Sequence, residues 1–359
     1  PTEGTRGKRY FPSVESIDDI ENYAEELGLE LFHIKDFSYK ISIQPNSGTQ
    51  ANQIVYNAIL NTGDTVLALN PKDGGHISHT KLGCRDIRPI YFSLNKNLEI
   101  DYEMLENQII NEKPKLVIVG ASSYIKEFDY QKIYTITSRY KVPLMADICH
   151  SVLYIMGNIH KNIFPFVDFA TFTMDKLLCG PQGGVIVYKD EYDSKIGTSI
   201  FPKTQGGPIQ NSLFSKTMCF LKLSSMNVEE YAKSIIDNTN LMINVLKTQN
   251  IKTINDIAEN HIILVDVTTN GISGKIAEEM LYKHGVLVNR NQIPNDKQSA
   301  LITSGIRIGT VPITNLNYSN SDITILGKYL ATVINGEIPQ KEDFLYLIEK
   351  YHKHINISN

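Results

Sequence analysis

Short apolar runs recur along the chain at 115–120, 142–147, 167–174 and 185–188, each closed by polar or small residues. Their apolar positions are nearly continuous rather than alternating, the pattern of strands covered on both faces. Between them, the apolar residues of 130–140 recur at helical spacing, and 50–60 reads as another helix. Strand, helix and strand in repeated order predict an α/β fold, a mostly parallel sheet with helices on both faces.

Further along, 215–249 holds few helix breakers and predicts one long connecting helix. It leads to a strand at 261–267, a helix at 273–284 and a strand at 286–288, a smaller α+β unit. The expected organisation is a large domain with an N-terminal arm over 1–220 and a small C-terminal domain over 221–359. The sequence carries no internal repeat and no low-complexity linker.

With 359 residues, 42% of them apolar, the chain has material for two domains and a large core. A net charge of -4 and a pI near 6.2 give no electrostatic reason to expect nucleic acid as a partner. No run of about 18 apolar residues is present to span a bilayer, and the N-terminus lacks the apolar segment of a secretion signal. The first residue is Pro1 rather than Met, which leads us to expect further residues upstream. Cys84, Cys149, Cys179 and Cys219 are too scattered for a zinc pair or a disulfide framework, so a reducing compartment, the cytoplasm, is expected.

The chemistry gathers at strand ends. Asp175-Lys176 follows the run 167–174, and turn-rich Cys179-Gly180-Pro181-Gln182-Gly183-Gly184 precedes the next strand. A lysine held between two buried strands loses solvation, which favours the free amine, a nucleophile toward a carbonyl. That is what a Schiff-base lysine requires. The run 142–147 ends in Asp147, with Cys149-His150 just beyond. Pyridoxal 5'-phosphate (PLP) works as an electron sink only while its ring nitrogen is protonated, and a carboxylate held against that nitrogen keeps it so. The 29 residues from Asp147 to Lys176 allow one strand-connection-strand unit, which would bring both side chains to one edge of the sheet.

Several ordered blocks carry a resemblance that covers nearly the whole chain. They are Glu3-Gly4 with Gly7-Lys8-Arg9-Tyr10, Gln44-Pro45-Asn46-Ser47-Gly48-Thr49-Gln50, Gly74-Gly75-His76-Ile77-Ser78-His79, Asp147-Ile148-Cys149-His150, Lys176 with Gly180-Pro181-Gln182-Gly183-Gly184, Gln205-Gly206-Gly207-Pro208, and Thr303-Ser304-Gly305-Ile306-Arg307. Together they resemble serine hydroxymethyltransferase, a fold-type I PLP enzyme with a three-layer large domain. The resemblance implies that Lys176 is the Schiff-base lysine, Asp147 the partner of the pyridine nitrogen and His76 the imidazole stacked on the ring. It implies that Ser47, Gly48 and Thr49 form the phosphate cup, that Thr173 contributes to the cofactor site, and that His150 and Ser122 contact the phenolic oxygen or the substrate carboxylate. Arg307 would clamp that carboxylate, Glu3 would act as acid and base at the substrate hydroxyl, and Phe11 would line the substrate side. Gly206 and Gly207 would reach the phosphate site from a neighbouring subunit, so an obligate homodimer is implied.

Residue by residue, plainer readings stand beside these. The cup has a physical case of its own, because small residues let backbone amides approach a phosphate and the following helix offers its positive end; Ser-Gly-Thr before a helix is also an ordinary cap. Lys176 alone reads as a surface lysine, Asp147 as a cap, Arg307 as a salt-bridge partner and Cys149 as packing. His76 and His79 have no third ligand near them in sequence, so no metal site is expected.

Departures from the resemblance lie on the acceptor side: Tyr10-Phe11 where a tyrosine pair is usual, Pro1 in place of a tyrosine, Asp175 in place of a histidine, a shortened stretch at 80–91, and Asn315-Leu316 in place of two basic residues. Against these, Asn289-Arg290-Asn291 with Ile293-Pro294-Asn295-Asp296 resembles the loop bordering the family's folate site. The expectation is a PLP enzyme making or breaking the Cα–Cβ bond of glycine, serine or threonine. Tetrahydrofolate is the default carrier. The alternatives are a folate-independent threonine aldolase or transaldolase with an aldehyde acceptor, an aminotransferase, and a non-catalytic relative.

Overall fold

The computed structural model describes residues 2–81 and 86–351. Pro1, Cys84 and the 82–85 part of the shortened stretch lie outside the described residues. One compact unit comprises the chain up to Ala232, apart from Lys72–Gly74 and Ser123–Glu127; those two segments belong with the second unit, from Lys233 onward.

The first unit opens with a small hairpin, β1 (Gly4–Thr5) against β2 (Lys8–Arg9), and helix α1 (Glu15–Leu31). Strand β3 (Tyr39–Ser42) follows, then helix α2 (Gly48–Ile59), β4 (Thr65–Leu69) and β5 (Arg88–Phe92). Helix α3 (Tyr102–Glu112), β6 (Leu116–Gly120), α4 (Tyr130–Arg139), β7 (Leu144–Asp147) and the short α5 (Val152–Met156) continue the alternation. The unit closes with β8 (Phe169–Thr173), β9 (Gly184–Lys189), α6 (Asp193–Thr198) and α7 (Gln210–Ser224). The sheet runs β3-β9-β8-β7-β6-β4-β5. Strands β4 to β8 are parallel to one another, whereas β9 is antiparallel to β8 and to β3.

Every residue of β4, β6, β7 and β8 is buried, as their unbroken apolar runs require. Ile54, Val55 and Tyr56 of α2 pack with Met145, Phe169 and Ile186 of the sheet. This is the three-layer α/β arrangement that the strand-helix order predicts.

One predicted helix is two. The 215–249 segment is split between α7 and α8 (Val228–Thr248), because Ser225 caps the first helix and the Asn227 side chain accepts from the Glu230 amide at 3.1 Å, starting a new one. In the second unit, β10 (Lys252–Thr253), β11 (Ile262–Asp266), β12 (Asn289–Asn291) and β13 (Gly305–Gly309) form an antiparallel sheet in the order β10-β11-β13-β12. It is joined by α9 (Gly274–Lys283), α10 (Val311–Asn315), α11 (Asn320–Ile334) and α12 (Lys341–Tyr351).

The strand predicted at 286–288 begins three residues later. Gly285, at φ 82°, ends α9 in a left-handed turn, and Val286 and Val288 pack on the core of this unit before pairing starts at Asn289. Ile263, Val265, Ile306 and Ile308 form the buried face of that sheet. Among the described residues, no helix is long and apolar enough to cross a membrane.

Candidate active site

Parallel strands deliver their C-terminal ends to one edge of a sheet, which is where an α/β fold opens a ligand crevice. Here the edge carries a pocket. Asp147, the last residue of β7, and Lys176, three residues past β8, both line it. Ser47, Gly48, Thr49, His76, His150 and Thr173 complete the predicted residues gathered there, and Asn52, Ala121 and Cys149 join them.

The start of α2 forms one side. Ser47 accepts a hydrogen bond from the Gln50 amide at 3.1 Å and so caps the helix. A Cβ at Gly48 would stand 2.6 Å from Thr173 Cγ2, so only glycine lets the helix start come this close to the end of β8. Thr173 Oγ1 is buried and has no hydrogen-bond partner. A buried hydroxyl beside a helix N-terminus is suited to an anionic ligand oxygen.

Asp147 is held by three donors. His79 Nε2 and Asn52 Nδ2 each donate to its Oδ2 at 3.0 Å, and the Cys149 amide donates to Oδ1 at 3.3 Å. Burial pushes this carboxyl up, but the His79 hydrogen bond and charge interaction, with Asn52 and Cys149 behind them, outweigh it and hold it well below the usual carboxylate range. Asn52 is itself fixed, its Oδ1 accepting from Thr171 at 2.6 Å and its Nδ2 donating to Ser78 at 2.9 Å. The same desolvation, reinforced by Asp147, pushes the neighbouring Cys149 thiol up, so it packs as an inert group.

Lys176 is exposed rather than buried between the flanking strands. Desolvation by those strands is therefore not what prepares its amine, because the turn after β8 carries it outward to the pocket rim. His76 is half-buried, with its Nδ1 2.6 Å from Ser78 Oγ. Folding also supplies the third ligand that the sequence lacked: His76, His79 and Asp147 place ligand atoms within 4.8 Å of one another. The Asp147 oxygen nearest His79 already accepts from two donors, His79 and Asn52.

The remaining predicted residues, Ser122, Glu3, Phe11, Arg307 and the Gly206-Gly207 pair, are not part of this lining. Ser122 follows the pocket residue Ala121 and is half-buried. Glu3 stands with the conspicuous glycines: its Cγ would lie 4.0 Å from a Cβ at Gly206, and its amide 3.3 Å from one at Gly207. Glu3 Oε2 is buried without a partner. Phe11 is 41% exposed and meets Tyr10 edge to face. Arg307, on β13 of the second unit, donates to Asn289 Oδ1 at 3.0 Å, and desolvation lowers it from the ordinary arginine value.

Asn52 and His79 were not assigned cofactor roles on sequence. The signal was a polar side chain on the apolar face of a helix, and a second histidine three residues after the first.

A helix N-terminus with an unpartnered buried hydroxyl, an ionised buried carboxylate and a primary amine on one pocket fit a phosphorylated pyridine aldehyde. With the mostly parallel sheet, they define a PLP-dependent enzyme of fold type I. The family model for serine hydroxymethyltransferase matches residues 1–330. The chain is 36% identical over 337 residues to the serine hydroxymethyltransferase of Francisella tularensis subsp. novicida, covering 92% of this chain and 80% of that protein. The same figures hold for the serine hydroxymethyltransferase of Francisella philomiragia subsp. philomiragia. The chain belongs to the serine hydroxymethyltransferase family.

Proposed function

We propose that this protein transfers a hydroxymethyl group between serine and glycine, with PLP as cofactor and tetrahydrofolate as carrier. The observation that carries this reading is the convergence of Lys176, Asp147 and the N-terminus of α2 on one pocket. When bound, the cofactor supplies an electron sink for the substrate's α-carbon.

The protein's own residues do the rest. Lys176 would hold the cofactor through its amine, the nucleophile this pocket offers to an aldehyde carbon. Asp147, ionised and fixed by His79 and Asn52, holds a proton at the pyridine nitrogen. Ser47, Gly48 and Thr49 present amides and hydroxyls to the phosphate, with the positive end of α2 behind them. Thr173 supplies its unpartnered hydroxyl to the cofactor. His76 would cover the ring, and His150 and Ser122 would contact the phenolic oxygen or the substrate carboxylate. Arg307 grips the substrate carboxylate through two parallel hydrogen bonds. Glu3 moves the hydroxyl proton and Phe11 lines the substrate side.

A homodimer with shared sites follows from the same reading. Glu3, Gly206 and Gly207 lie together but do not line the pocket of their own chain, so a second copy would bring them to it. Tyr10, Ile209 and Phe214, 75, 51 and 55% exposed, offer apolar surface for that contact. Residues 1–220 are the proposed cofactor-binding domain, 221–359 the small domain, and the cytoplasm the proposed compartment.

Family membership favours this transfer over an aldolase with an aldehyde acceptor or an aminotransferase. The test is glycine formation from serine by the PLP-loaded protein, with and without tetrahydrofolate. Strong dependence on folate is expected. Equal turnover of β-hydroxy amino acids without it would overturn the reading in favour of the aldolase.

A further inference from the structure

Lys216 lies on α7 and is fully buried, outside the pocket. Its ammonium donates to Ile43 O at 2.7 Å, Pro45 O at 2.6 Å and Gly184 O at 3.3 Å. Two of those carbonyls belong to the chain that leads into Ser47, and the third to the start of β9. The Gly184 amide also donates to Pro45 O at 2.9 Å, so the ammonium and that amide close one knot beneath the start of α2.

The neighbouring glycines are shaped by this. A Cβ at Gly183 would stand 2.0 Å from Lys216 Cε, and one at Gly184 would stand 2.3 Å from Ser47 O. The lysine stem therefore passes over Gly183, while Gly184 lies against the cup itself. No carboxylate contacts the ammonium among the described residues. The acid that acts on it is Glu21 of α1, already bonded to Arg9 and Gln44.

We propose that Lys216 is a positioning residue for the phosphate end of PLP: its buried ammonium, through three carbonyl oxygens, sets the turn that presents Ser47, Gly48 and Thr49. The proposal rests on the reading of those three residues as the phosphate cup. The physical logic is one of matched donors. A protonated lysine has three N–H groups for three carbonyls, whereas a neutral amine has two and a lone pair, which faces one carbonyl with repulsion. Burial pushes this amine down to about 7, with Glu21 acting in the opposite sense, so the change of state falls in an accessible range.

The test compares PLP with pyridoxal, which lacks the phosphate. Dissociation constants of both are measured on the cofactor-free protein by fluorescence, for the wild type, Lys216→Arg, Lys216→Met and Ser47→Ala. Lys216→Met is expected to weaken PLP roughly tenfold while leaving pyridoxal nearly unchanged, with Lys216→Arg in between. In the folded wild type, the ratio of PLP to pyridoxal affinity is expected to fall between pH 7 and 9 as the ammonium is lost; the cofactor phosphate, with a second pKa of about 6, is already a dianion there.

Equal losses for both ligands in Lys216→Met would mark a merely structural lysine and overturn the proposal. Should that variant not fold, a flat wild-type ratio across the same pH range would overturn it. A phosphate-specific loss in Ser47→Ala without one at Lys216 sinks this inference alone, whereas no such loss in Ser47→Ala sinks the cup.

Discussion

His79 Nε2 donates to Asp147 Oδ2 across 3.0 Å, tying the turn after β4 to the end of β7. A carboxylate oxygen only accepts, so Nε2 carries the proton, and His79 Nδ1 lies buried with no partner. The pair fixes the charge of Asp147 on the wall of the pocket.

Replacing that charge without changing its shape isolates its role. Asp147→Asn is expected to retain PLP while kcat falls about 100-fold or more, the scale for loss of a preorganised electrostatic contact. Steady-state kinetics together with a cofactor-binding titration check both halves. His79→Ala, which removes one of the three donors to this buried carboxylate, is expected to cost about 1–3 kcal/mol in a urea titration. Because Asp147 is depressed in the folded state, its stabilising contribution is present above its unfolded value near 4 and is lost as pH falls through the folded one.

At the pocket rim, Lys176→Ala should abolish covalent attachment. Borohydride treatment of the PLP-loaded wild type is expected to add a pyridoxyl group at Lys176, seen by peptide mass spectrometry, and to add none in the variant. Labelling at another lysine would displace Lys176 from its role.

Ser47 has two duties in one side chain, capping α2 and facing the pocket. Ser47→Ala is expected to lower the stability of the cofactor-free protein by about 1 kcal/mol through the lost cap. Denaturant midpoints taken with and without PLP will show a larger gap, because the cofactor then stabilises the variant less.

Subunit sharing can be read from mixing two inactive proteins. If Glu3 serves the partner's pocket, Glu3→Ala and Lys176→Ala subunits form mixed dimers with one intact site. About a quarter of wild-type activity should return at statistical exchange. No recovery, in a mixture shown to exchange subunits, would place Glu3 in the pocket of its own chain.

Lys216 makes the stability of the cofactor-free protein depend on alkaline pH. Its folded value of about 7 lies below the ordinary lysine value of about 10.4, so between them the unfolded chain binds the extra proton. Stability contributed by this group therefore rises with pH across that window, the opposite trend to the phosphate-specific affinity. Melting temperatures across the window should climb less steeply in Lys216→Met, if the variant folds, than in the wild type.

The strands could be read before folding because burial on both faces demands unbroken apolar runs, as at Leu116–Gly120 and Phe169–Thr173. Asp147 and Lys176 could be placed on one edge because parallel strands deliver their ends together. The break at 225–227 is not legible in the sequence because Asn interrupts a helix only when its side chain caps the next one, as Asn227 does, a choice made by the packing around it.

What the amino-acid order determined by itself was local: apolar runs, a cap at Ser47, glycines where no Cβ fits, and the residue types that PLP chemistry needs. The tertiary structure decided which distant groups meet. Asn52, from a helix begun far upstream, and His79 both reach Asp147; Glu3 lies against Gly207; and Lys216 is buried while Lys176 is left at the surface. These outcomes depend on contacts between segments up to about two hundred residues apart, and no local periodicity encodes them, because hydrogen-bond partners and burial are properties of packed neighbours rather than of sequence position.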